Sequence, residues 1–386
     1  MLTPGRRLAA LGFLLLGLGA CTSGGPERPT PTSAPATSSA APATPDPVAE
    51  ALAGMDRRAQ VAQLFVAGVP LDDLAAANEL AGSGVGGIFL AGRSETAVTD
   101  LATVPGWQAA APGPGLWVAV DQEGGSVQSL RGPGFEPLPS ALDQGSLPPG
   151  ELAGLADRLG AALDGSGVNL DLAPVVDVVP AGTESANPPI GAFDRQYGST
   201  PDVVVAAAGT VVDGLAAHGV TATLKHFPGL GRVQGNTDTS AVVIDDMTTA
   251  GDDQVAAFGR LARSRAHPFV MASTATYTRL DPTEQAAFSS VVLTDLLRGK
   301  LGFDGVVISD DVGNARAVGD VPPGERAVRF LGAGGTLVLT VDATLVPEMI
   351  DTVLARADGD PAFAAQVDAA VRTALEAKER AGLLAG

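Results

Sequence analysis

Charged side chains follow several short apolar runs of this sequence. Lys225 and His226 end one such run, and Asp310 comes directly after another. A charge at the carboxyl end of a buried strand is costly for packing but useful for catalysis, because such strand ends form one rim of a sheet. Together with Asp121 and Arg195, these residues have the types expected of an enzyme that hydrolyses sugars.

Asp310 has the chemistry of a glycosidase nucleophile. A retaining glycosidase needs one carboxylate that attacks the anomeric carbon and a second group that protonates the leaving oxygen. A rigid strand directly before Asp310 would hold its backbone in place. We expect the adjacent Asp311 to face elsewhere, and one aspartate of this pair could instead cap the following turn.

Asp121, Arg195, Lys225 and His226 could bind the hydroxyl groups of a sugar. Lysine and arginine donate hydrogen bonds, histidine offers one donor, and aspartate accepts them. Side chains alternate along a strand, so only one of Lys225 and His226 faces a given side unless the strand bends, and the turn at 228–229 would supply such a bend. A single charge would more often be a solvated rim residue, but their recurrence at strand ends favours a polar ligand site.

Eight short apolar runs alternate with helical patterns from about Pro47 onward. The runs are Leu64–Gly68, Val85–Leu90, Leu116–Val120, Val168–Leu172, Val220–Lys225, Phe269–Ser273, Gly305–Ser309 and Thr336–Thr340. The helical patterns include Val48–Ala62, Gly150–Gly165, Pro201–His218, Ser290–Gly299, Leu345–Arg356 and Pro361–Ala381. Parallel strands covered by helices on both faces predict a (β/α)₈ barrel of the TIM type, in a single domain over 48–386. An open doubly wound sheet is the alternative, because periodicity alone does not show closure.

Residues 1–21 are expected to be a lipoprotein signal peptide. A positively charged start precedes an apolar run that is too short for a membrane span, and Leu18-Gly19-Ala20-Cys21 ends it. Cleavage before Cys21 and acylation of its thiol would anchor the protein to the outer face of the cell membrane. An ordinary secretory signal is the alternative. Residues 22–47 are dominated by Pro, Thr, Ser and Ala, which predicts a disordered tether.

The composition and charge of the chain exclude several classes of function. The chain has 386 residues, of which 45% are hydrophobic, enough for a large core. Its formal net charge of −19 argues against binding to nucleic acid. The three histidines, His218, His226 and His267, lack metal-ligand spacing, so we predict no metal site. The single cysteine permits no disulfide within the chain. We also expect the protein to be a monomer.

Several blocks of the sequence resemble glycoside hydrolase family 3, and among its members the single-domain bacterial β-N-acetylhexosaminidases that act on cell-wall sugars. The similar blocks are 120–125, 169–178, 187–198, 225–231, 270–277 and 305–311. The resemblance implies a barrel, no cofactor, and a covalent intermediate on Asp310. It implies that terminal β-linked N-acetylglucosamine is the sugar released. The sugar-binding residues that it implies are Asp121, Arg195, Lys225 and His226.

The loop after Lys225 departs from this family pattern. Relatives carry an Asp-Ser-His unit whose histidine exchanges the proton, whereas this chain has Asn236-Thr237-Asp238. Leu230 and Thr274 also stand where relatives carry histidine. Two hypotheses follow: Asp238 is itself the acid/base, or the proton-transfer group is lost and a sugar-binding lipoprotein remains. A phosphorylase that uses the same covalent intermediate is a third possibility.

Overall fold

The computed structural model describes Gly25 and residues 46–384. The predicted signal peptide, its Cys21 and, apart from Gly25, the predicted tether up to residue 45 lie outside these residues. The first helix begins at Pro47 because Asp46 caps it: the Asp46 carboxylate accepts the backbone N–H groups of Val48 and Ala49, both at 3.1 Å. Within the described residues, no helix is both long enough and apolar enough to cross a membrane.

Eight parallel strands form the central sheet. They are β1 (Phe65–Pro70), β2 (Gly87–Ala91), β3 (Trp117–Val120), β4 (Leu170–Asp171), β5 (Thr221–Phe227), β6 (Phe269–Ala272), β7 (Val307–Ser309) and β8 (Val338–Thr340). Each strand neighbours the next along the chain, and β8 pairs with β1. Ile308 bridges Leu337, and the Ser309 N–H donates to the Leu337 carbonyl at 2.9 Å, which joins β7 to β8. The predicted barrel is therefore confirmed, and the open-sheet alternative is wrong.

Helices cover the outside of this barrel. The α-helices are Pro47–Ala53, Arg57–Ala62, Ala77–Gly82, Ala97–Asp100, Val104–Ala110, Ala141–Gly145, Pro149–Asp164, Pro201–Ala216, Asp253–Leu261, Pro323–Gly332, Val346–Gly359 and Pro361–Arg380, and Val291–Lys300 is a π-helix. Single 3₁₀ turns lie at Leu74–Ala76, Leu101–Thr103, Glu184–Ala186, Gly191–Phe193, Ala286–Phe288, Arg316–Val318 and Ala343–Leu345. The pattern at 48–62 is two helices separated at Gly54 rather than one.

Two neighbouring sixteen-residue helices pack closely through glycine. Pro149–Asp164 and Pro201–Ala216 each bury a stripe of aliphatic residues at helical spacing. A Cβ at Gly214 would lie only 2.5 Å from the Ala156 Cβ, and one at Gly160 would lie 2.7 Å from the Gly214 carbonyl oxygen. The two helices can approach this closely only because glycine occupies both contact points.

The barrel interior is a packed core and not a channel. The Trp117 and Phe269 rings, from β3 and β6, meet inside it edge to face with their centroids 5.1 Å apart. Trp117 is buried. Above this layer, short strand pairs extend the carboxyl end of the barrel: Gln122–Gly124 with Val127–Gln128, and Ile244–Asp245 with Thr276–Tyr277. The filled interior leaves no room for a ligand within the barrel, so a site built by the strand ends must lie at the barrel mouth.

Candidate active site

One pocket of about 440 Å³ opens at the carboxyl ends of the barrel strands. The six residues predicted for catalysis and sugar binding all line it: Asp121, Arg195, Lys225, His226, Asp238 and Asp310. Lys225 and His226 lie in the last part of β5, and the other four follow β3, β4, β5 and β7, so closure of the barrel brings together residues that are far apart in the chain. Apolar side chains complete the lining, among them Leu172, Met271 and Leu339.

Asp310 is placed by the end of β7. Its backbone N–H donates to the Ala272 carbonyl at the end of β6, at 3.0 Å, and its Oδ1 accepts the Asp311 N–H at 2.9 Å. Burial raises the pKa of Asp310 to about 6; the nearby His226 opposes this rise, and the charge of Asp238 adds to it. The carboxylate is therefore ionised, as a nucleophile must be, mainly above pH 6.

Asp311 has a structural task. Its carboxylate accepts the backbone N–H groups of Gly313 at 2.8 Å and of Asn314 and Val341 at 2.9 Å. These bonds cap the turn after β7 and tie it to the residue that follows β8. The turn-capping alternative thus applies to Asp311. Contrary to the expectation that it faces elsewhere, Asp311 also lines the pocket beside Asp310.

Two cations and two carboxylates form a network at one wall of the pocket. Asp121, Arg195 and Lys225 line this wall, and the buried Glu123 lies behind them. The Lys225 Nζ lies 2.6 Å from Asp121 Oδ1 and 2.7 Å from Glu123 Oε1. The Arg195 guanidinium donates to both Glu123 oxygens, at 2.7 and 2.9 Å. Burial alone would raise the pKa of Glu123, but Arg195 and Lys225 outweigh it and lower this pKa to about 2. Burial would lower the pKa of Lys225, yet Asp121 and Glu123 raise it, so Lys225 and Glu123 are both charged at neutral pH.

Glu123 is a member of this network that the sequence analysis did not identify. It stands two residues after Asp121, and a second carboxylate so close to the first was the available signal. The chain turns sharply at Gly124, where φ is 105°, and a Cβ there would lie 2.2 Å from the Pro139 carbonyl oxygen. This turn leaves the Glu123 side chain buried against Arg195 rather than at the protein surface.

Both Lys225 and His226 line the pocket, although neighbouring side chains on a regular strand face opposite sides. The pairing of β5 with β6 shifts register between Leu224 and Phe227, so the strand is irregular where these two residues lie. The His226 Nδ1 lies 2.7 Å from an oxygen of Asp177, which is fully buried. Asp177 was also missed, and its signal was a lone acid within the apolar run 175–179.

The loop that carries Asp238 is held by one hydrogen bond within the loop and two to the turn at 316–317. The Asn236 side chain accepts the Asp238 N–H at 2.8 Å. The carbonyls of Thr237 and Asp238 accept the N–H groups of Ala317 and Arg316, at 3.0 and 3.2 Å. Asp238 is exposed at the pocket. A proton-transfer role for it stays a prediction.

Two positions where relatives carry histidine are buried here. Leu230 is 2% exposed and lines the pocket, so this apolar replacement has the cover that it requires. Thr274 is 1% exposed, lies outside the pocket lining, and its Oγ1 has no hydrogen-bond partner in the described part of the chain. Neither residue therefore offers a substitute for a proton-transferring histidine.

Known proteins with similar sequences and folds are glycosidases. Residues 57–377 match the Glycosyl hydrolase family 3 N terminal domain. A Beta-hexosaminidase of Stenotrophomonas maltophilia is 37% identical over 276 residues, 68% of this chain and 77% of that protein. Beta-hexosaminidase LpqI of Mycobacterium tuberculosis is 34% identical over 366 residues, 90% of each chain. A crystal structure of Beta-N-acetylhexosaminidase from Beutenbergia cavernae has a TM-score of 0.81 and 46% identity, and the match covers 84% of this chain and 99% of that one. This chain therefore belongs to glycosyl hydrolase family 3.

Proposed function

We propose that the protein is a retaining β-N-acetylhexosaminidase that releases terminal β-linked N-acetylglucosamine from sugars derived from the cell wall. The observation that carries the proposal is the position of Asp310, which shares one pocket with Lys225, His226, Asp121 and Arg195. Relatives that align with most of this chain are named for hexosaminidase activity, which supports the choice of sugar.

In this mechanism Asp310 attacks the anomeric carbon and forms a covalent glycosyl-enzyme, which water then hydrolyses. Asp121 accepts hydrogen bonds from sugar hydroxyl groups, and Lys225 and Arg195 donate them. Glu123 holds both cations before the sugar arrives. The sugar therefore meets donors that are already in place, and less ordering is needed at the moment of reaction.

Asp238 is the proposed acid/base. It reaches the pocket on the loop after β5, as the family's proton-transfer unit does, and its charge is close enough to Asp310 to raise the pKa of that carboxyl. The exposure of Asp238 favours a second candidate function, a catalytically impaired sugar-binding protein with the same pocket. General acid/base catalysis is worth ~10²–10⁴ in rate, so its loss would leave a slow enzyme.

The test uses hydrolysis of an aryl β-N-acetylglucosaminide by the purified protein. Asp310→Asn should abolish turnover, whereas Asp304→Asn, an exposed aspartate just before β7, should not change it. Asp238→Ala should slow turnover, and added azide should restore it by capturing the glycosyl-enzyme. Equal inactivity of the wild type and Asp310→Asn, with a melting temperature that N-acetylglucosamine still raises, would favour the sugar-binding function. Faster release on adding phosphate would instead identify a phosphorylase.

We also propose that a lipid on Cys21 anchors the protein to the outer face of the cell membrane. The charged start, the short apolar run and the Leu18-Gly19-Ala20-Cys21 segment support this location. Incorporation of a fatty-acid analogue should be seen in the wild type and lost in Cys21→Ala. Equal incorporation by both chains would contradict the anchor.

A further inference from the structure

Asp177 is a buried carboxylate that lies behind the pocket without lining it. Its Oδ2 is 2.7 Å from the His226 Nδ1. Its Oδ1 accepts the backbone N–H of His226 at 3.2 Å and that of Leu230 at 2.7 Å. A buried carboxylate is unfavourable unless its oxygens are bonded, and here three N–H groups bond them. The burial of Asp177 is therefore tied directly to the position of His226.

We propose that Asp177 is a positioning residue that fixes the tautomer and the direction of the His226 ring for sugar binding. A carboxylate only accepts, so the ring proton sits on Nδ1 and Nε2 is left for the pocket. A neutral ring held in this way presents an acceptor to a sugar hydroxyl, while the opposite tautomer presents a donor. This role rests on the proposed sugar-binding function of His226.

The same carboxylate also fixes the start of the loop that carries Asp238. Leu230, whose N–H it accepts, is held further because its carbonyl accepts the Asn187 amide at 2.8 Å. The preceding Gly229 carbonyl accepts the Tyr277 hydroxyl at 3.0 Å. One buried side chain thus sets the sugar-binding ring and the base of the proposed acid/base loop together.

A purely structural role for Asp177 would predict only a loss of stability, and Asp245 provides a matched control for it. Asp245 is also a buried carboxylate that satisfies backbone donors: it accepts the N–H groups of Met247 and Thr248 at 2.8 and 2.7 Å, and the Thr248 hydroxyl at 2.6 Å. It does not line the pocket. Replacing either aspartate by asparagine removes one buried charge and keeps the shape of the side chain.

The chain holds only three histidines, so the His226 ring can be observed almost alone. In a His218→Gln and His267→Gln background, the imidazole ¹⁵N shifts of selectively labelled protein report which nitrogen carries the proton. At a pH where the ring is neutral, we expect it on Nδ1. Asp177→Asn should move it to Nε2, because the asparagine amide then donates to Nδ1.

Asp177→Asn should also lower kcat/KM by about 10- to 100-fold, the size expected for a lost hydrogen bond to a charged group. Asp245→Asn should leave the tautomer unchanged and kcat/KM within about twofold, with a similar loss of melting temperature. The proposal is overturned if the parent protein carries the neutral-ring proton on Nε2, or if Asp177→Asn changes neither tautomer nor kcat/KM. The spectrum of the parent protein shows which ring nitrogen carries the proton even where Asp177→Asn does not fold. This measurement needs no turnover, so it can succeed or fail independently of the proposed hydrolase function.

Discussion

Replacing Glu123 with glutamine would remove the negative charge that lies between the Lys225 ammonium and the Arg195 guanidinium. The pKa of Glu123 falls from 4.5 to about 2 on folding, although burial acts in the opposite direction. A displacement of this size corresponds to about 3 kcal/mol of stability at neutral pH. Removing one member of a buried ion pair typically costs about 3–5 kcal/mol, because the partner charge is left unpaired. We therefore expect Glu123→Gln to lower the free energy of unfolding by at least about 3 kcal/mol.

Urea unfolding followed by the fluorescence of the buried Trp107 and Trp117 measures this difference. The matched control is Glu325→Gln, because Glu325 pairs with Arg356 at 3.2 Å at the surface, where both side chains are about 40–45% exposed. The effect of this control should stay below about 1 kcal/mol.

The pH dependence gives a second check on the same variant. Because the folded pKa of Glu123 is depressed, its contribution is present above pH 4.5 and is lost as the pH falls from 4.5 towards 2. The stability gap between wild type and Glu123→Gln should therefore close over that interval. A gap below about 1 kcal/mol at pH 7, or one that does not change with pH, would refute this account of the network.

Two further predictions follow from buried titratable groups. Because the pKa of Asp310 is raised to about 6 and the nucleophile must be ionised, kcat/KM for an aryl glycoside should rise about tenfold per pH unit below pH 6 and level off above it; a rise that ends near pH 4 would contradict the raised pKa. Lys378 is fully buried, its Nζ lies 2.6 Å from the Gln63 side-chain oxygen, and burial lowers its pKa to about 7. The buried charge therefore reduces the free energy of unfolding by its full amount below pH 7, and by less as the pH rises towards 10.5. Lys378→Met should therefore raise stability at pH 7 by about 2 kcal/mol, less so at higher pH, as measured by urea unfolding; a destabilised variant would show that the Gln63 contact outweighs the buried amine.

The strands of the barrel could be predicted because both faces of a parallel strand are buried, which produces short continuous apolar runs. Each of the eight predicted runs overlaps an observed strand. The helices Asp253–Leu261 and Pro323–Gly332 were not among the predicted patterns. Both are short, and a pattern of two or three turns is hard to distinguish from a loop on periodicity alone.

The residues at the strand ends were accessible to the same reasoning. Asp121, Lys225 and Asp310 each lie at or just after the end of an apolar run, and the carboxyl ends of barrel strands meet at one mouth. The irregularity that lets Lys225 and His226 share the pocket was suggested by the following Pro228-Gly229. Whether the strand bends there depends on its pairing with β6, which only the structure displays.

The amino-acid sequence by itself determined the barrel and which charged side chains stand at its mouth, because strand burial and strand ends leave a pattern along the chain. Tertiary structure alone decided which charges become partners. Glu123 meets Arg195 across 72 positions, and Asp177 meets His226 across 49. Coulomb energies and pKa values depend on distance and burial, and chain spacing specifies neither for residues that approach from different loops.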